Sequence, residues 1–107
     1  MLTLYLFEER RVIMSVVIIG GHDRMASQYK NICKEYQCKA KVFTKMTSNL
    51  AGQIGCPDLI IVFTNTVSHK MAKCALVEAQ KKQTEVVRCH TSSGNALYEI
   101  LDNICRA

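Results

Sequence analysis

Apolar residues along this chain form four short runs, and segments with helical spacing separate most of these runs from one another. The runs at residues 16–19 and at Leu59–Phe63 are continuous and rich in β-branched side chains, which is typical of strands buried on both faces. A run that alternates lysine with apolar residues at 39–44 predicts a half-exposed edge strand, and residues 85–88 predict a short fourth strand. The pattern therefore predicts four strands.

Three other segments repeat apolar residues at helical spacing, so each is predicted to form a helix with one buried face. These positions are Met25, Tyr29, Ile32, Cys33 and Tyr36 in the first segment, Ala72, Ala75, Leu76 and Ala79 in the second, and Leu97, Ile100, Leu101 and Ile104 in the third. Asp23, Ser68 and either Ser92 or Ser93 stand where N-cap residues are expected. Residues 47–55 are polar and contain two glycines, which predicts a loop with at most one helical turn.

Strands that alternate with helices indicate parallel pairing through right-handed crossovers. We therefore expect one α/β domain over residues 14–107, a small three-layer fold of the Rossmann/flavodoxin-like type. The two most apolar strands belong at its centre, so the predicted order of the four-stranded parallel sheet is 2-1-3-4.

Residues 1–13 do not fit this pattern. The acidic and basic pairs at 8–11 can be encoded by a purine run that has the form of a bacterial ribosome-binding site, and Met14 follows two codons later. We hypothesise that residues 1–13 are an untranslated leader and that translation starts at Met14. The alternative is that residues 2–7 form a genuine β segment that lengthens the first strand or adds an edge.

Composition narrows the class of protein. Hydrophobic residues make up 49% of the chain and charged residues 21%, as in ordinary globular proteins. The charges at 8–11 interrupt the N-terminal apolar stretch, so we expect neither a membrane helix nor a signal peptide there. Six cysteines without a Cys-x-x-Cys pair argue against a disulfide scaffold or a zinc knuckle and favour a reducing cytoplasm. We expect the thiols of Cys33, Cys74 and Cys105 on helix faces and those of Cys38 and Cys56 in loops. Cys89 is the one cysteine expected at the sheet edge where a functional site is predicted.

Candidate chemistry gathers where the predicted strands end, because ligands of open parallel sheets bind beyond the carboxyl ends of the strands. All three histidines of the chain follow predicted strands there. A Gly-Gly turn lets backbone approach a ligand, and helix N-termini attract anions. Tight turns and capping alone would also explain much of this pattern. The residues predicted to bind a ligand are Gly20, Gly21, His22, Arg24, Thr64, Asn65, Ser68, His69, Ser92 and Ser93.

The first hypothesis is a cytoplasmic ligand-binding or sensory domain that holds a small phosphate-like or carboxylate anion at this edge. The complete dinucleotide and Walker fingerprints are absent, and no catalytic residue is assigned. A second hypothesis is a transition-metal or haem module for redox or sensing, with ligands from His22, His69, Cys89 and His90. A third is a dimeric interaction module without a ligand, and a homodimer is expected under each hypothesis. The chain has a formal net charge of +5 and carries clustered lysines, but no nucleic-acid motif accompanies them, so nucleic acid is a minority interpretation.

Three stretches, taken together with the region around Tyr29, resemble the uncharacterised bacterial domain family DUF2325. They are VVIIGGHD at 16–23, CPDLIIVFTNTVSH at 56–69 and SSGNAL at 92–97, and the Val-Ser-His element is the most specific. The resemblance spans about residues 15–101. The matching positions are Gly20, Gly21, Asp58, Ser68, His69, Ser92 and Ser93. Many members carry a basic residue after the glycine pair, where this chain has His22 and then Arg24. The resemblance implies an α/β domain of unsettled activity.

Overall fold

Each of the four predicted strand segments is a strand in the computed structural model, which describes residues 14–106. The strands are β1 (Met14–Ile19), β2 (Cys38–Phe43), β3 (Leu59–Phe63) and β4 (Glu85–Cys89). The helices are α1 (Ala26–Glu35), which follows a 3-10 turn at Asp23–Met25, α2 (Leu50–Ile54), α3 (His69–Lys82) and α4 (Gly94–Arg106). All strand pairs are parallel and the order is β2-β1-β3-β4, so the predicted 2-1-3-4 sheet is confirmed.

Two apolar layers cover the sheet. Side chains on neighbouring strand residues point to opposite faces. Val16 and Ile18 therefore pack in the cluster that contains residues of α1 and α4, and Val17 and Ile19 pack in the cluster that contains residues of α2 and α3. Every residue of β3 is buried, because β3 lies between β1 and β4 and both of its faces are covered. The result is the predicted three-layer α/β fold.

Two boundaries differ from the prediction. Cys38 was expected in a loop, but it is the first residue of β2 and is buried. Gln37 adopts a positive φ of 59° and its amide donates to the Lys34 carbonyl, so α1 ends in a turn tight enough for the strand to begin at once. The segment at 47–55 contains the five-residue helix α2, slightly more than the one turn expected, because Leu50 and Ile54 are one turn apart and both bury against the sheet.

Capping was predicted correctly at two of three helices. Ser68 accepts a hydrogen bond from the Met71 amide at 3.2 Å, and Ser93 accepts one from the Ala96 amide at 3.1 Å. The predicted cap at Asp23 is wrong, since its carboxylate is hydrogen-bonded to Thr44 and ion-paired with Lys45 on the β2–α2 connection.

Three of the remaining thiols follow the prediction. Cys33 is buried in α1, Cys74 is half-buried on α3, and Cys56 is exposed between α2 and β3. The Cys105 side chain and the hypothesised leader at 1–13 lie outside the described residues. Among residues 14–106, no helix is long and apolar enough to span a bilayer.

Candidate functional site

The carboxyl ends of the four strands meet at one edge of the sheet, as parallel pairing requires. Each predicted ligand-binding residue lies in a connection that leaves this edge or in the helical turn that follows it. His22, His69 and His90 are all exposed there. The predicted residues thus share one edge of the sheet, and the geometry decides which of them face a common space.

The Gly20-Gly21 turn uses its own amides inside the protein. The Gly20 amide donates to the Phe43 carbonyl at 2.8 Å, and the Gly21 amide donates to Thr66 Oγ1 at 2.7 Å. Thr66 Oγ1 lies 3.3 Å from the Phe63 carbonyl, to which its hydroxyl donates. Both glycine amides thus connect β1 to its neighbours, and they are not directed at a ligand.

Close packing explains why two glycines stand at this turn. Both have positive φ values, 107° for Gly20 and 86° for Gly21. A Cβ atom on Gly21 would lie 2.6 Å from Tyr29 Cε2 and 2.7 Å from Tyr29 Oη. Tyr29 is fully buried, its ring centroid lies 5.3 Å from that of Phe63, and its hydroxyl donates to the Ser92 carbonyl at 2.5 Å. Burial raises the pKa of Tyr29 and favours the neutral hydroxyl that this bond needs.

Further hydrogen bonds join the other connections. The Thr64 amide donates to the Cys89 carbonyl at 2.8 Å, which ties the end of β3 to the end of β4. Asp23 accepts a hydrogen bond from Thr44 and pairs with Lys45 at 3.1 Å, and these two contacts, Thr44 first, lower the pKa of the Asp23 carboxyl. The whole carboxyl edge is consequently a hydrogen-bonded framework.

A cavity of about 220 Å³ opens within this framework at the N-terminus of α3. It is lined by Thr64, Val67, Ser68, His69 and Ala72. The Met71 amide is satisfied by the Ser68 hydroxyl, and the Ala72 amide makes the first helical bond to the Ser68 carbonyl at 3.0 Å. The first-turn amides of His69 and Lys70 have no acceptor within the helix, because helix geometry leaves the first amides unpaired.

Three of the predicted residues, Thr64, Ser68 and His69, therefore line one cavity. The others have other surroundings. Ser92 accepts the Tyr29 hydrogen bond through its carbonyl, and Ser93 caps α4. The remaining predicted residues, none of them among the described residues that line this cavity, are Gly20, Gly21, His22, Arg24 and Asn65.

The four residues of the metal hypothesis are spread over three connections of this edge. Within the described part of the chain, no group of three or more His, Cys, Asp or Glu side chains is arranged to hold a metal ion. The Cys89 thiol donates to the Thr91 carbonyl at 3.2 Å. The metal or haem site stays a prediction.

Sequence reasoning missed two residues that organise the edge, Thr66 and Tyr29. Thr66 stood in the correct connection but was not selected over its polar neighbours. Tyr29 was assigned to the apolar face of α1, and its hydroxyl on a buried stripe is the feature that pointed to a polar partner, since buried tyrosine hydroxyls are normally hydrogen-bonded.

A four-stranded parallel sheet between two helical layers, with polar connections at its carboxyl edge, defines a small α/β domain of the Rossmann/flavodoxin-like type. The chain belongs to the family described as an uncharacterized protein conserved in bacteria (DUF2325), which matches residues 15–104 and confirms the resemblance seen in the sequence. No curated protein and no solved structure matches the chain significantly.

Proposed function

We propose that this domain binds a small anion, phosphate-like or carboxylate, in the cavity at the N-terminus of α3, and acts as a cytoplasmic ligand-binding or sensory domain. The cavity lined by Thr64, Ser68 and His69 is the observation that carries the proposal. The site is narrower than the sequence suggested, because the diglycine amides already have partners within the chain.

The donors around the cavity suit an anion. The helix α3 has 14 residues, so its dipole places partial positive charge at the end that faces the cavity. The amide of His69, a residue that lines the cavity, has no acceptor within the helix and supplies a donor. The Ser68 hydroxyl accepts from Met71 and keeps its own proton to donate to a ligand, and His69 stands exposed at the rim.

Cavity size limits the ligand class. A volume of about 220 Å³ is smaller than the roughly 300–1,000 Å³ of pockets that enclose drug-sized molecules. A phosphate group or a short carboxylic acid fits this space, whereas a dinucleotide exceeds it. The hydrogen-bonded framework of the edge also lowers the entropy lost on binding, because the donors are already held in place.

The test is thermal unfolding with and without inorganic phosphate. At a phosphate concentration ten times the dissociation constant, binding stabilises the folded state by about 1.4 kcal/mol. For a domain of this size that is a rise in Tm of roughly 6–11 °C. The Tm in phosphate is compared with the Tm in chloride at equal ionic strength. We expect phosphate to raise the Tm of the wild-type chain and to leave that of the double variant Ser68→Ala with His69→Ala unchanged.

Ser93→Ala is the matched control, because Ser93 caps α4 just as Ser68 caps α3. Loss of either cap destabilises the fold by about 0.5–2 kcal/mol. The double variant of Ser68 and His69 should lose the phosphate response, whereas Ser93→Ala should keep it. A panel of carboxylates and phosphorylated metabolites then identifies the preferred anion. No response to any anion, or a response that survives the double variant, contradicts the proposal. A Soret band or stoichiometric metal in protein purified from cells would favour the metal or haem hypothesis instead.

A further inference from the structure

A groove of about 360 Å³ runs along the outer side of β2, away from the anion cavity. It is lined by Lys30 from α1, Gln53 from α2, and four consecutive residues of β2, which are Ala40, Lys41, Val42 and Phe43. β2 is an edge strand, and among the described strands only β1 pairs with it. One wall of the groove is therefore an open strand edge, and helices of both layers flank it.

The backbone pattern shows which groups face the groove. The Phe43 carbonyl accepts from the Gly20 amide, so the polar backbone groups of Phe43 point toward β1. Successive residues of a strand direct these groups to opposite sides, so the amides and carbonyls of Lys39 and Lys41 also face β1. Those of Ala40 and Val42 face the open edge. Two amides and two carbonyls thus stand in position to pair with an added strand.

Side chains on the two faces of β2 differ in chemistry. Lys39 and Lys41 are exposed on the α2 side, where the Lys41 ammonium donates to the Gln53 carbonyl at 3.1 Å. Ala40 and Val42 are half-buried on the α1 side. In a sheet, directly opposed residues of adjacent strands share a face. A strand that complements β2 would therefore alternate acidic with apolar side chains.

Charge selects the occupant. None of the described residues lining the groove is acidic. The salt bridges of the described residues involve Lys45, Lys81 and Lys82, so Lys30, Lys39 and Lys41 carry charge that these acidic groups do not neutralise. A second copy of this chain would bring the same lysines into the groove and be repelled. An acidic extended segment of another protein would be attracted, and its backbone would form hydrogen bonds with the outward amides and carbonyls of Ala40 and Val42.

We infer that β2 is a docking edge for an acidic, extended segment of a partner protein, which adds a fifth strand to the sheet. Main-chain hydrogen bonds supply affinity in this mode of recognition, and alternate side chains supply selectivity. This inference does not depend on the anion proposal, because the two sites use different residues.

The test follows amide hydrogen exchange by NMR in the full chain while a capped hexapeptide of alternating Glu and Val is added. We expect slower exchange at Ala40 and Val42 and unchanged exchange at Lys39 and Lys41, whose amides already bond to β1. A peptide of the same composition in blocks, three Glu followed by three Val, should give less protection because it cannot place both chemistries on the correct faces.

Two variants separate charge from backbone pairing. Lys41→Glu should weaken peptide binding about threefold or more, whereas Arg88→Glu, the same charge reversal on the opposite edge strand β4, should change it less than twofold. Val42→Pro removes one outward amide without removing a bond to β1 and should abolish protection at Ala40. Circular dichroism of each variant establishes that it is folded.

Several results would overturn the inference. Ala40 and Val42 amides that are already protected in the free chain would mean that the edge is filled by the chain itself. Equal protection by both peptides, or equal effects of Lys41→Glu and Arg88→Glu, would show that the peptide is held by non-specific electrostatic attraction and not by pairing with β2. Binding of a single-stranded oligonucleotide that is lost in Lys41→Glu, without peptide protection, would assign the lysines to nucleic acid.

Discussion

Replacing Gly21 with alanine tests the packing that organises the carboxyl edge. The new Cβ would lie 2.6 Å from Tyr29 Cε2 and 2.7 Å from its hydroxyl oxygen, and contacts under 3 Å force a neighbour to move. Tyr29 has little freedom to move, because its side chain is fully buried, contacts Phe63 and is hydrogen-bonded to the Ser92 carbonyl. The substitution should therefore destabilise the domain strongly.

Two physical effects set the magnitude. A non-glycine residue at the Gly21 φ of 86° is strained, which costs about 1–3 kcal/mol. Forcing an extra methyl group against a packed ring costs about 1–3 kcal/mol more. The sum, about 2–6 kcal/mol, is a large fraction of the roughly 5–15 kcal/mol that stabilises a typical domain.

Gly55→Ala is the control for backbone strain alone. Gly55 also has a positive φ, 67°, but the nearest atom to its added Cβ is Lys41 Nζ at 3.9 Å, so no clash follows. Urea unfolding followed by circular dichroism measures both variants. We expect Gly21→Ala to be less stable than Gly55→Ala by about 1–3 kcal/mol, the overpacking contribution. Equal losses in the two variants would refute the reasoning from the Tyr29 contact.

Two other predictions concern the same fold. Thr66→Val removes the hydroxyl that accepts the Gly21 amide hydrogen bond and should destabilise the domain by about 1–3 kcal/mol in urea unfolding. Thr66→Ser keeps the hydroxyl and should lose less stability. Equal losses in the two variants would contradict the role of this hydrogen bond. The hydrogen bond from Lys82 lowers the pKa of the Glu78 carboxyl below its ordinary 4.5. The contribution of this pair to the free energy of unfolding is therefore fully present above pH 4.5 and is lost as the pH falls through the lower folded-state pKa. Glu78→Gln should therefore flatten the decline of the unfolding free energy from about pH 5 to pH 3, and an unchanged slope would argue against this pair.

The strands and their order were predictable because they follow from hydrophobicity alone. Residues 16–19 and Leu59–Phe63 are apolar without interruption, so both belong inside the sheet, and the lysines at 39 and 41 place their strand at an edge. Ser68 was predictable as a cap, and the last cap could be narrowed to Ser92 or Ser93, because a serine before an apolar repeat is a local pattern with a local hydrogen bond.

The interior of the site was not predictable, because its contacts join residues far apart in the chain. Asp23 satisfies the local rule for a cap, yet its carboxylate bonds to Thr44 and Lys45 once β1 and β2 lie side by side. The Gly21 amide meets Thr66 only after β3 is in place. The sequence could locate the edge of the sheet where the connections meet, but which amides stay available depends on these tertiary partners.

The position of β1 inside the sheet has a consequence for the order of events during synthesis. It precedes both strands that flank it, and β3 begins about 40 residues further along the chain. At about 5–20 residues per second, the ribosome takes roughly 2–8 s to produce that distance. During this interval the apolar β1 segment has no β3 beside it. Transiently exposed apolar strands are prone to aggregation, so we expect β1 to be the most aggregation-prone part of the nascent chain until β3 has been made.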